Sequence, residues 1–147
     1  EGLCDAQGVK LSDCFANSFC LSADVSNAFD PNWPETCDKR NNSQLNYGVA
    51  ICKYTGSRGK GGASDASAEA MGHVRSTLDK AGVIWQIATL GKVDQGGGGT
   101  VAAYMANRNI VTVDAGVPVL SMHAPLELVS KLDCYETMLA CKAIYLA

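Results

Sequence analysis

With 147 residues, 47% of them hydrophobic and 18% charged, the chain has the apolar content of one globular domain around a single core, and intrinsic disorder is excluded. A net charge of −3, with 12 Lys and Arg against 15 Asp and Glu and no basic run, leaves no electrostatic footprint for nucleic acid or an anionic membrane surface. No apolar run approaches the roughly 18 to 20 residues of a membrane-spanning helix and the amino end carries no signal-peptide pattern, so the expectation is a cytoplasmic protein with no membrane partner.

Glu1 to Asn17 holds no firm element beyond a helical turn around Leu11 to Ala16. Phe19 to Val25 reads as an interior strand that places Asp24 at its end, and a chain opening with Glu1 that reaches such a strand within about 20 residues is expected to begin inside a domain. Pro31 and Pro34 then exclude regular structure, and Thr36 to Asn46 reads as a polar surface connection. Tyr47 to Tyr54 alternates as a strand, and Thr55 to Gly62, with Arg58 and Lys60, reads as a mobile glycine-rich loop.

A helix capped by Ser64 or Asp65 is predicted to run to Lys80, with Met71, Val74, Leu78 and Ala81 as its apolar stripe and Gly82 as its stop. His73 falls beside that stripe as a helix-surface residue. Val83 to Ala88 is a short buried strand. Gly96 to Gly99 lead through Thr100 into a short helix whose first-turn N–H groups would face a ligand unshielded. The runs Ile110 to Ala115 and Val117 to Leu120 deliver His123 to a strand end, and a helix from about Leu126 to Leu146 presents Leu128, Leu132, Tyr135 and Leu139 to the sheet.

Seven cysteines, at positions 4, 14, 20, 37, 52, 134 and 141, include no C-x-x-C pair and read as reduced thiols. Cys14, Cys20, Cys52 and Cys141 lie in apolar surroundings, where a thiol acts as a small hydrophobe.

Strands alternating with helices argue for the α/β class, a layered α/β/α domain with a mixed, largely parallel sheet. Ligands in such sheets gather at the carboxyl ends of strands, where Asp24 and His123 are both expected. GGGGT followed by Val101 lacks the lysine of a phosphate-binding loop, and contiguous glycines do not match a dinucleotide fingerprint. A carboxylate and an imidazole are the usual oxygen and nitrogen donors to zinc, although residues 99 apart define no site by spacing alone.

The strings SADVSNAFDPN, KYTGSRGKGGASDASAE, GKVDQGGGGTVAAYMAN and GVPVLSMHAPLELVSKLDCYET, in that order, resemble the carboxyl-terminal portion of the aspartyl aminopeptidase family of zinc exopeptidases. The resemblance runs from about residue 18 to the end. It implies zinc-ligand roles for Asp24 in Ser-Ala-Asp and for His123 in Met-His, within a site of two zinc ions. It implies substrate contacts at Lys53 and at Asn27, where the family often has histidine. The bland readings of those two are a solvated strand-end lysine and a turn residue beside Pro31. The glycine loop, through Gly98 and Gly99, would offer N–H groups to the substrate or its oxyanion, or serve as a plain turn.

The family's general-base glutamate belongs to a Glu-Glu pair, and here Glu1, Glu35, Glu69, Glu127 and Glu136 all occur singly. No catalytic residue is therefore expected in these 147 residues. They read as the carboxyl-terminal part of one metallo-aminopeptidase catalytic domain, with no second domain, inactive alone. The complete enzyme is expected to remove one amino-terminal residue, acidic or neutral, from peptides and to be a homo-oligomer, a dodecamer in the family. The competing reading is a non-catalytic binding or assembly module that uses the glycine loop and an uncovered sheet edge.

Overall fold

A computed structural model of the chain describes residues 1–57, 61–92, 95 and 97–147. In chain order the elements are α1 (Gly2–Ala6), α2 (Leu11–Ala16), β1 (Phe19–Ser22), β2 (Ser26–Asn27), a single 3-10 turn (Pro34–Thr36), β3 (Val49–Cys52), β4 (Tyr54–Ser57) and β5 (Gly61–Asp65). There follow α3 (Ala68–Ala81), β6 (Trp85–Ala88), α4 (Ala102–Ala106), β7 (Val111–Gly116), β8 (Pro118–Leu120), β9 (Leu128–Val129) and α5 (Lys131–Tyr145). The four-stranded sheet has the order β1-β7-β3-β6, parallel at β1–β7 and β3–β6 and antiparallel at β3–β7. It is the mixed, largely parallel sheet of an α/β domain.

Alternation within the strands decides which face each side chain meets. Val49 and Ile51 of β3 and Val113 and Ala115 of β7 form the main core with Met71, Val74 and Leu78 of α3 and Ala140 of α5. The intervening positions Ala50 and Cys52, with Ala88, form a separate small cluster, and Asp114 alternates with the core residues of β7. Burial pushes the Cys52 thiol up to about 11, so it stays protonated at neutral pH.

α3 forms because its apolar residues recur at helical spacing and both ends are closed. The Ser67 hydroxyl accepts from the Ala70 N–H, and Gly82 takes the left-handed φ of 68° that ends the helix. The cap therefore lies at Ser67, since Ser64 and Asp65 belong to β5. Ala81 is exposed, outside the buried stripe.

Several other expectations are corrected. The stretch 19–25 is not one strand: β1 stops at Ser22, and Ala23–Val25 carry the chain into a second sheet of order β2-β8-β9. Most of the stretch read as a glycine loop is an antiparallel hairpin of β4 and β5, and its tip, with Arg58 and Lys60, lies outside the described residues. The segment 36–46 is not purely superficial, because Cys37, Asn42 and Ser43 are buried and the Phe29 N–H donates to the Ser43 carbonyl at 2.7 Å. Cys14 is exposed.

The last helix differs most from its sequence pattern. It starts at Lys131, capped by the Ser130 hydroxyl, and Leu128 belongs to β9. Its buried residues are Asp133, Glu136 and Ala140, whereas Leu132 and Tyr135 of the expected stripe are 42% and 54% exposed. The reason is hydrogen bonding. Fully buried Asp133 accepts from the N–H groups of Asn46 and Gly48, both at 2.8 Å, and Glu136 accepts from the Ile84 N–H at 2.8 Å. Two carboxylates of α5 thus fasten the chain where it turns into β3 and β6, and this selects the helix face.

Candidate active site

The two chain passages that carry Asp24 and His123 run side by side. β1 lies parallel to β7 with Ser22 opposite Asp114, and β2 lies parallel to β8 with Ser26 opposite Pro118. Both passages therefore leave the first sheet and join the second at the same level. At that crossing Gly116 touches the Asp24 backbone: a Cβ on Gly116 would fall 1.4 Å from the Asp24 carbonyl oxygen. The absence of a side chain there is what lets the Asp24 segment lie flat against β7.

One oxygen of the Asp24 carboxylate accepts from the Val25 N–H at 2.8 Å, which fixes the half-buried side chain in the bend. His123 follows β8 in a turn where Ser121 and His123 have φ of 57° and 67°. Left-handed backbone at a residue other than glycine costs on the order of 1 kcal/mol or more and concentrates at functional sites. The turn is held by the Glu127 carboxylate, which accepts the His123 N–H.

Asp24 and His123 line one cleft of about 540 Å³, together with Asn27, Glu35, Lys92 and the loop residues Gly97 to Thr100. Of the residues singled out in the sequence, the fold brings together Asp24, Asn27, Gly98, Gly99 and His123. Lys53 is not among the described residues lining the cleft; it lies between β3 and β4, half-exposed, with its ammonium paired to Asp65. Among the described residues, Lys92 is the lysine that lines it. Glu35 and Lys92 were not singled out in the sequence: Glu35 lies in a turn-rich stretch, and Lys92, although inside the string GKVDQGGGGTVAAYMAN, has no spacing that marks it. His73 lies elsewhere, edge-on to Phe19 with ring centroids 5.6 Å apart.

The glycine loop is tied down on two sides. The Gly56 N–H of the hairpin donates to the Gly98 carbonyl at 2.9 Å, and the Thr100 hydroxyl donates to Asp114 at 2.9 Å. Gly97 has a φ of 86°, and a Cβ there would meet the Leu90 and Gly56 carbonyl oxygens at 2.4 and 2.7 Å. α4 begins at Ala102, whose N–H already donates to the Thr100 hydroxyl at 3.3 Å, so this helix end is less open than the sequence suggested. Burial pushes the Asp114 carboxyl above its ordinary range, the Thr100 bond opposes that rise and the Asp24 charge adds to it. Ser22, its register partner, eases the cost by proximity, without hydrogen-bond geometry.

The donor chemistry at the cleft suits a divalent metal of the zinc type, since the residues lining the one space include a carboxylate, Asp24, and an imidazole, His123. Among the described residues, no three His, Cys, Asp or Glu side chains gather as a metal-holding group. One carboxylate and one imidazole are fewer than the protein donors a zinc site uses.

The family described as aminopeptidase I zinc metalloprotease, M18, matches residues 4–145. A probable M18 family aminopeptidase 1 of Clostridium acetobutylicum is 52% identical over 133 residues, which is 90% of this chain and 29% of that sequence. The crystal structure of an M18 aminopeptidase from Thermotoga maritima superposes with a TM-score of 0.89 at 45% identity, over 95% of this chain and 32% of that one. A structure described as the S. cerevisiae mApe1 dodecamer shares the fold, with a TM-score of 0.72 at 24% identity over 93% of this chain and 28% of that one. The chain thus spans about a third of the length of these relatives.

Proposed function

The chain belongs to the aminopeptidase I zinc metalloprotease family, M18, and from that premise we propose that it supplies one wall of a zinc-dependent aminopeptidase site. The reaction is removal of a single amino-terminal residue from a peptide. One observation carries the reading: Asp24 and His123, 99 residues apart, line the same cleft beside the Gly97–Thr100 loop.

Asp24 and His123 would hold metal, Asp24 through carboxylate oxygen and His123 through a neutral imidazole nitrogen. Zinc held there would supply Lewis acidity toward the scissile carbonyl and toward water, and the family's expected number is two ions. Gly98 and Gly99 bring backbone close to the substrate space with no side chain in the way, and Asn27 lines the same space from β2. The general base and the remaining donors would come from sequence of the kind that the relatives possess beyond this third. Assembly into a homo-oligomer, as in the dodecameric fold relative, belongs to the same proposal.

The test is an assay of a polypeptide of the relatives' full length on aspartyl, glutamyl and leucyl anilides. Hydrolysis abolished by a chelator and restored by zinc is expected; failure to cleave any of the three sinks the proposal. The 147 residues alone, in saturating zinc, are expected to cleave none, and turnover by them that His123→Ala removes would show that they carry their own base.

An acidic first residue suits a nearby cation. Lys53, which lies outside the described lining of the cleft, would fill that role only by leaving Asp65 and reaching into the cleft. A charge-assisted bond contributes about 1.5 to 3 kcal/mol, or about 10- to 150-fold in preference. Lys53→Met should erase that much of the aspartyl-over-leucyl ratio in kcat/KM. An unchanged ratio in Lys53→Met alongside a lost one in Lys92→Met would move the role to the lysine that lines the cleft.

A further inference from the structure

A carboxylate is an odd occupant for the position of Asp114. It is 6% exposed, on the sheet face whose other buried residues include Ala50, Cys52 and Ala88, and a charge taken out of water there costs stability unless it is paired. Its Oδ1 has no hydrogen-bond partner and its Oδ2 takes a single bond, from Thr100. An apolar residue of similar size would serve the sheet better, so the carboxylate is explained by what it holds.

What it holds is a relay of hydroxyls. With the Thr100 proton committed to Asp114, Thr100 accepts from Thr55 at 3.4 Å, and Thr55 in turn accepts from Ser64 at 3.3 Å. Thr55 and Ser64 belong to the two strands of the β4–β5 hairpin, and the Gly56 N–H beside Thr55 holds the Gly98 carbonyl. The relay therefore joins hairpin, glycine loop and β7. Two residues beyond Asp114, Gly116 touches the backbone of Asp24. Asp114 is thus the point at which the loop wall of the cleft is referred to the wall carrying Asp24.

We propose that Asp114 is a positioning residue of this cleft, setting the Gly97–Gly99 wall against Asp24 through the Thr100 hydroxyl. The inference rests on the reading of the cleft as a peptide-binding site only for its kinetic consequence. Thr100 lies at the end of the loop that lines the cleft, and removing its hydroxyl frees that loop while Asp24 and His123 keep their own backbone anchors, so substrate binding weakens more than the chemical step. Thr100→Val is nearly isosteric but leaves Asp114 without its one hydrogen bond, so its fold is verified by circular dichroism, whereas Thr100→Ser keeps the hydroxyl.

Two readouts on the full-length protein test this. Hydrogen exchange of the peptide spanning Leu90 to Val101 is expected to speed up about tenfold in Thr100→Val and to stay at the wild-type rate in Thr100→Ser. Steady-state kinetics on an aminoacyl anilide are expected to show KM raised about tenfold in Thr100→Val with kcat held within about twofold, and the wild-type KM restored in Thr100→Ser. Unchanged exchange in Thr100→Val, or equal damage in the valine and serine variants, overturns the proposal. A fall in kcat with KM unchanged also overturns it. A parent protein without peptidase activity defeats the reading of the cleft, while the exchange experiment still decides the anchoring.

Discussion

His123→Ala in a polypeptide of the relatives' length is expected to lower kcat/KM by about 10³-fold and to reduce the zinc retained after dialysis. A metal ion acting on a developing negative charge contributes several kcal/mol, and about 4 kcal/mol corresponds to that factor in rate. Asp24→Ala should behave alike, since Asp24 lines the same cleft from the neighbouring passage of chain. Metal content by elemental analysis separates loss of the ion from misfolding. The internal control is His73→Ala: that imidazole packs on Phe19 from α3 and does not line the cleft, so its loss should leave the rate within about twofold. A His123→Ala protein that keeps full zinc and full activity would remove the residue from the site and with it the main support for the cleft as the reaction centre.

Asp133→Ala is expected to destabilise the fold by about 3 to 5 kcal/mol, a large share of the roughly 5 to 15 kcal/mol that holds a typical domain together. The carboxylate is fully buried and accepts two backbone N–H groups, from Asn46 and Gly48. Alanine would leave both donors without a partner at a turn that cannot rearrange easily. Asn46 and Gly48 have φ of 69° and 84°, and a Cβ at Gly48 would stand 2.1 Å from the Ile84 carbonyl oxygen. Asp133→Asn keeps one acceptor and should lose roughly half as much. Chemical denaturation followed by circular dichroism gives the difference as a shift in midpoint at constant slope. A midpoint unchanged in the alanine variant would mean that the two N–H groups find other partners, and the account of why α5 buries its polar face would fail.

The extent to which these features are legible in the sequence follows the range of the interactions behind them. α3 was readable because everything that makes it is local: Met71, Val74 and Leu78 at helical spacing, and Gly82 where a left-handed residue must end the helix. The α/β class was readable because strand and helix periodicities alternate along the chain, and four ordered motifs identified the family and nominated Asp24 and His123. Tertiary structure alone decided the rest. α5 turns Asp133 and Glu136 inward because N–H groups more than fifty residues away, on Gly48 and Ile84, need acceptors, and no count of apolar residues within the helix registers that need. β1 ends at Ser22 because its neighbour β7 gives way to β8 at the same level and Gly116 admits the Asp24 backbone, a contact between segments about ninety residues apart. Glu35 and Lys92 line the cleft and Lys53 does not because long-range packing sets where those short segments lie, so their distance from Asp24 is fixed by the fold and by nothing in their own neighbourhoods.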